Sequence, residues 1–268
     1  MYYCTFKTKN LFKIVEMNLA KFLFFFTFLF CAGNISAQVT KKPVPKKVVA
    51  KKKTLVKSSI KKPIKIAVVK AAPDNSIKIK IVTDSGTMIV KLYDSTPLHR
   101  DNFVKLVKEG FYDSLMFHRI IQGFMIQGGD PNSKNAAPEI MLGNGGDNMA
   151  RIPAEFRKSL YHKKGVLAAA RDGNPEKASS ACQFYIVQGK PLTDAELDMM
   201  EGRIGSKYTL EQRNTYKKIG GTPFLDQNYT VFGEVIAGLN VVDKIASAPK
   251  APGDRPIGDI RMKMEVVK

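Results

Sequence analysis

The sequence predicts an all-β-dominated domain, an antiparallel sheet closed or sandwiched on itself, over residues 74–268. Three observations point to it. Short strand-like runs dominate, helical patterns are few, and the strands are not separated by the regular helices that a parallel α/β sheet requires.

The elements follow in order. Ile77, Ile79 and Ile81 alternate with Lys78, Lys80 and Val82; Asp84-Ser85-Gly86 then turns the chain, and residues 87–93 resume strand-like sequence, so the pair reads as a β-hairpin. Thr96-Pro97 reads as an N-cap followed by proline at the first helical position. Phe103, Leu106 and Val107 carry the helical spacing that follows, and Gly110 stops it. Further strands are predicted at 115–121, 124–127, 165–170, 184–187 and 230–235, and a helix at 240–246 with Val242, Ile245 and Ala246 on one face. Residues 189–222 break the β pattern. Thr193 to Glu196 and Thr209 to Gln212 are two capping boxes, so a helical hairpin is expected there as an insertion.

The 268 residues carry a formal net charge of +19, but the charge is unevenly placed. Residues 38–73 hold twelve lysines and no Asp or Glu, residues 1–37 contribute +3, and residues 74–268 keep only +4. Lysine with Pro43, Pro45, Pro63 and Pro73 cannot build a core, so 38–73 reads as a disordered, self-repelling linker. Ahead of it, residues 22–32 are apolar except Thr27, with Lys21 before and Ile35-Ser36-Ala37 after. Eleven helical residues span about 16 Å, half a bilayer core, so a secretory signal peptide of residues 1–37 is the better reading than a membrane span. Met17 is an alternative start, since Met17 to Ala37 is already a complete signal; Cys31 is a poor lipidation site because bulky Phe30 precedes it. Export, most simply to a periplasm, is the expected address. Weak electrostatic contact of the basic tail with acidic envelope surfaces is an expected partner interaction, and nucleic acid is not. One thiol, Cys182, remains after the signal and cannot form an internal disulfide.

Ordinary catalytic motifs find little support. His99, His118 and His162 are scattered without metal-ligand grouping, no nucleophile sits in a recognisable turn, and Gly143-Asn144-Gly145-Gly146 lacks the lysine of a phosphate loop. No metal and no cofactor are expected. What stands out is Arg119, Phe124, Met125, Gln127, Gly128 and Gly129 within eleven residues; an arginine and a glutamine are unusual company for a core strand.

The stretch FHRIIQGFMIQGGD, from Phe117 to Asp130, resembles the signature of the cyclophilin family. The likeness continues through Ala181-Cys182-Gln183-Phe184-Tyr185-Ile186, Phe224-Leu225-Asp226 and Tyr229 to Gly233, and covers residues 76–268 apart from 189–222. The resemblance implies an eight-stranded antiparallel closed β-barrel capped by two helices, with a site for proline on its outer face. It implies peptidyl-prolyl cis/trans isomerisation, assisting the folding of exported proteins, with proline-containing polypeptides as substrates and a monomer as the default state. Arg119 would stabilise the twisted amide and Gln127 would hold Arg119 and the substrate backbone. Phe124, Met125, Tyr185 and Leu225 would line the proline pocket, with Ala170, Arg171 and Gln183 along the groove, Tyr229 at the rim and Phe224 among the substrate-binding residues.

Several positions depart from the family's usual pattern. Phe224 stands where many members carry tryptophan, which in this family implies weaker cyclosporin binding; Tyr229 stands for a histidine, Arg171 for an asparagine and Tyr185 for a phenylalanine. The added hydroxyl of Tyr185 must find a partner or water. Two rival readings accompany the enzyme: a binding module that holds proline-containing segments without turnover, and a protein whose basic tail is its functional part.

Overall fold

The computed structural model describes residues 76–267. The expected signal segment and the Lys/Pro-rich linker lie outside the described residues.

Strands β1 (Lys78–Thr83) and β2 (Gly86–Leu92) form the first hairpin, with Thr83 opposite Gly86 and Asp84-Ser85 as its turn. Ile79, Ile81, Met88, Val90 and Leu92 are fully buried while the intervening residues are not, the period-2 pattern of a sheet with one wet face. Helix α1 (Pro97–Lys108) follows, then β3 (Phe117–Ile121), β4 (Met125–Gly128), β5 (Val166–Ala169) and β6 (Phe184–Val187). Helices α2 (Asp194–Ile204) and α3 (Leu210–Ile219) interrupt the sheet before β7 (Val231–Ala237), α4 (Leu239–Ala246) and β8 (Met262–Val267). The sheet order is β3-β4-β6-β5-β7-β2-β1-β8, with every strand pair antiparallel.

The expected closed barrel is corrected to an open, strongly curled sheet. Strands β3 and β8 stand at its two ends and share no ladder. Their edges meet across a seam made by the segments flanking them: Ser114 N donates to Met262 O, Met262 N to Leu115 O, Phe117 N to Ile260 O and Ile120 N to Asp254 O, all at 2.8–2.9 Å. The seam partner of β3 is thus the irregular segment ahead of β8, which cannot supply the regular register that a ladder needs. Strand β8 is absent from the sequence-predicted strands, although Met262 and Met264 alternate with Lys263 and Glu265 as clearly as the residues of β1.

The curled sheet encloses one apolar core, to which α1 adds Phe103, Val104, Leu106 and Val107 and α4 adds Val241, Val242, Ile245 and Ala246. Phe103, Tyr112, Phe117, Phe184 and Phe232 form an aromatic cluster with ring centroids 5.0–6.0 Å apart, mostly edge to face, the arrangement their quadrupoles favour. A second apolar cluster lies on the other side of the same strands: Met125, Val166, Ala168, Tyr185 and Val187 alternate with the core residues Ile126, Leu167, Phe184 and Ile186, and Leu225 and Val231 join them. That outer cluster is the floor of the site.

Thr96 occupies the N-cap position of α1, yet its side chain makes no capping bond. Glu155 does the work instead, accepting from Leu98 N at 3.2 Å and His99 N at 3.0 Å, while its Oε2 pairs with His99 Nδ1 at 2.7 Å. A carboxylate at a helix N-terminus meets unpaired amides and the positive end of the helix dipole together. Both capping boxes of the inserted hairpin are formed, Thr193 with Glu196 and Thr209 with Gln212. Arg213 of α3 ties the two helices together through Asp194 (2.8 Å), Asp198 (2.8 Å) and Glu201 (3.0 Å).

Glu155→Ala strips buried His99 and two helix-end amides of their acceptor, so the variant is expected to lose about 1–3 kcal/mol of stability. Urea unfolding followed by circular dichroism measures it, and an unchanged midpoint would remove Glu155 from this role.

Candidate active site

Arg119 reaches the outer face because β3 carries a bulge. Phe117 pairs with Gly128 and Arg119 with Gln127, so His118 is the extra residue. Phe117 and Ile120 therefore both point into the core, and Arg119 and Ile121 both face out. His118 is buried, and neither ring nitrogen has a hydrogen-bond partner. Burial pushes its pKa down to about 4, with the Asp130 charge only partly opposing.

The Arg119 side chain is 42% exposed and loosely held. One guanidinium nitrogen lies 3.5 Å from Gln127 Oε1 and Nε lies 3.8 Å from Asp254 Oδ2. Gln127 is oriented from behind, since its Nε2 donates to Gln183 Oε1 at 3.1 Å. Gln183 is buried and saturated, its Nε2 donating to the carbonyls of Gly143 (2.9 Å) and Gly145 (2.8 Å). Those carbonyls are placed by Asp130, fully buried, which accepts from Asn132 N at 2.8 Å and closely from Gly143 N. A Cβ at Gly145 would stand 2.0 Å from Asp130 Oδ1, so the approach demands glycine. The amide of Gln127 is thus fixed with its oxygen towards the guanidinium.

Beside this chain lies a shallow pocket of about 120 Å³, lined by Arg119, Phe124, Met125, Gln127, Ala170, Arg171, Tyr185, Leu225 and Tyr229. Met125, Tyr185 and Leu225 are buried beneath it and Phe124 forms a side. Phe224 is 48% exposed and stands outside the pocket lining, its ring centroid 5.5 Å from that of Phe124. A second cavity of about 290 Å³ adjoins along Gln127, Ala170 and Arg171 and continues past Gln183 to Met149 and Arg151. Arg171 and Tyr229, both departures from the family's usual pattern, are partners: the guanidinium stands 4.7 Å over the Tyr229 ring. Arg171 is held there by donating to the carbonyls of Asn228 and Asp172, each at 2.8 Å. Cys182 is buried behind the site, and desolvation pushes its thiol up, which makes it a poor nucleophile.

Three residues that the sequence does not point to complete the surroundings. Asp254 stands beyond Arg119, and His162 and Asp226 lie behind Tyr185, whose hydroxyl is 2.9 Å from His162 Nε2. The demand of the Tyr185 hydroxyl for a partner is the available signal; that partner, His162, is 23 positions away, and Asp226, which holds His162, is 41 positions away.

An apolar cup for a small ring, edged by amides and the guanidiniums of Arg119 and Arg171 and opening onto a long groove, suits an extended polypeptide rather than a compact metabolite. The profile of the cyclophilin type peptidyl-prolyl cis-trans isomerase/CLD family matches residues 78–266. Proteins carrying the peptidyl-prolyl cis-trans isomerase name in Staphylococcus haemolyticus and Staphylococcus epidermidis are 33% and 34% identical over 192 residues, covering 71% of this chain and 91% of theirs. A solved cyclophilin type isomerase of Cryptosporidium parvum superposes with a TM-score of 0.54 at 24% identity, over 72% of this chain and 98% of its own. A second structure of it, obtained in the presence of the dipeptide Ala-Pro, gives 0.53 at 23% identity, over 71% and 99%. The chain belongs to the cyclophilin-type peptidyl-prolyl cis-trans isomerase family.

His118 gives the fold an acid-sensitive point. The unfolded ring protonates near 6.5 and the native ring near 4, so the unfolded state binds more protons between those values. On this group's account stability falls as pH drops from about 6.5 towards about 4. The His118 ring signals in an NMR titration are expected to stay flat from about pH 8 to about 5.5; a midpoint above 6 would contradict a buried, neutral ring.

Proposed function

We propose that this cyclophilin isomerises X-Pro bonds at the Arg119 pocket and that its substrates are exported chains in the course of folding. The observation that carries the residue assignment is the state of Arg119: oriented at the pocket edge by Gln127 and Asp254, yet bound to neither closely enough to consume its donors.

Rotation about an X-Pro bond is slow because it breaks amide resonance, a barrier of about 20 kcal/mol. No bond is made or broken to the enzyme, so catalysis needs only stronger binding of the twisted amide than of either planar form. The proline ring seats on Phe124, Met125, Tyr185 and Leu225. The guanidinium of Arg119 then donates to the prolyl nitrogen, whose lone pair becomes available as conjugation is lost. A donor already in place pays no reorganisation at that moment. Gln127 keeps its carbonyl oxygen on the guanidinium and restricts its swing. The residues before proline run over Ala170 and Arg171 into the adjoining groove. The Ala-Pro dipeptide used with the Cryptosporidium protein supports a proline-containing guest for this site.

The exported address rests on residues 1–37, whose basic start, apolar run and small residue at Ala37 fit a cleaved signal. The lysines of 38–73 suit weak, salt-screened adhesion to acidic envelope polymers.

Arg119→Ala is expected to lower kcat/KM for an Ala-Pro-containing peptide about 100-fold, in line with removing one transition-state donor. Its melting temperature should stay within a few degrees, since the side chain is half exposed. Wild-type turnover in a protease-coupled or NMR exchange assay would overturn the assignment. For the address, intact mass of the protein recovered from the host envelope is expected to begin at Gln38; uncleaved protein confined to the cytoplasm would sink it.

A further inference from the structure

The inserted hairpin is joined to the proline pocket by a buried line of hydrogen bonds. Asp226, 3% exposed, stands at its centre and both carboxylate oxygens are used. Oδ1 accepts from His162 N and pairs with His162 Nδ1, each at 2.8 Å. Oδ2 accepts from Tyr216 Oη at 2.6 Å and Tyr208 Oη at 2.8 Å. Tyr216 belongs to α3 and Tyr208 to the turn between α2 and α3, so two of the four donors come from the insertion. On the other side, His162 is fully buried, its Nε2 is 2.9 Å from Tyr185 Oη, and the two rings lie within 13° of parallel.

The chemistry of each group fixes the direction of the line. A carboxylate accepts only, so His162 Nδ1 carries the hydrogen and donates to Asp226, and Nε2 meets the Tyr185 hydroxyl. Burial, reinforced by the Asp226 charge, pushes the Tyr208 and Tyr216 hydroxyls well above their ordinary range, which keeps both phenols as neutral donors. Tyr216, Asp226, His162 and Tyr185 are all buried, so along that path a lost partner is not readily replaced by bulk water. The backbone repeats the connection. Thr222 N donates to His162 O at 2.8 Å, Lys164 N to Gly220 O at 2.9 Å, and Tyr208 Oη also reaches Pro223 O at 3.3 Å. The base of the hairpin thereby holds the 223–226 segment that carries Leu225.

We infer that the 189–222 hairpin is a positioning device for the proline pocket, setting the Tyr185 ring through Tyr216, Asp226 and His162. This rests on the isomerase reading of the pocket. None of the three relay residues lines it; Tyr185 alone touches the guest. A hydrogen-bonded Tyr185 has one orientation, and the cup it floors has one shape before substrate arrives. Pre-set shape acts on binding, so the relay is read in KM and in peptide affinity more than in kcat.

The test is a double-mutant cycle on the full-length protein with Tyr216→Phe, Tyr185→Phe and the pair. The readouts are kcat and KM for an Ala-Pro-containing peptide, and its dissociation constant by NMR titration. Tyr216→Phe is expected to raise KM and the dissociation constant about fivefold, the scale of one hydrogen bond, and to leave kcat within about twofold. In the Tyr185→Phe background the same change is expected to add nothing, because the line is already cut. Losses that multiply in the double variant, or unchanged affinity in Tyr216→Phe, overturn the inference. Tyr208→Phe, at a half-buried position, replaces Tyr216→Phe if the latter does not fold, with the same two outcomes at about threefold. Arg119→Ala is measured alongside: if it turns over like wild type the isomerase assignment fails, while the affinity cycle still decides the relay.

Discussion

Between Phe117 and Arg119, β3 carries one residue more than its partner β4. Strict alternation would send Phe117 and Arg119 to the same side of the sheet. With His118 as the extra residue, Phe117 stays in the aromatic core and Arg119 emerges outside, opposite Gln127. The rest of the site follows from that parity. Gln127 faces out with Arg119, Tyr185 lies beside Gln127 on the next strand, and Met125 and Ile121 form the next rung. The cost falls on His118, a buried imidazole with no partner. A bulge that converts an inward position into an outward one lets a strand serve the core and the chemistry within five residues.

What the sequence revealed was mostly local. The first hairpin, both capping boxes and the short strands are written in contiguous residues, and their boundaries in the structure shift by one or two positions. The cap of α1 was not legible, because Glu155 lies 57 residues from Leu98 and no local pattern predicts it. The seam is another long-range fact: β3 is closed by a segment more than 130 residues away. Among the site residues, Phe124, Met125, Tyr185 and Leu225 lie around one pocket. Phe224 stands beside the pocket against Phe124, and Gln183 borders the adjoining groove while it bonds Gln127 and the Gly143–Gly145 loop.

Departures from a family pattern acquire meaning only as pairs. Arg171 and Tyr229 look like two separate changes in the sequence, but in the structure the cation lies on the ring, and each accounts for the other. Tyr185 is likewise accounted for by His162 and Asp226, and these in turn by the tyrosines of the insertion. A hydroxyl added to a buried ring is tolerable only where an acceptor waits, so the extra helices and the altered floor belong to one solution.

The seam at the two ends of the sheet has a consequence for strand addition. Chains that are still folding display unpaired strands, and an open sheet edge is a template on which such strands add. Here Phe117 N and Ile120 N of β3 are bonded to Ile260 O and Asp254 O, and Met262, the first residue of β8, is bonded through both its backbone groups to Ser114 and Leu115. At β3 these two donors are already taken, so an incoming strand cannot use them to extend the sheet.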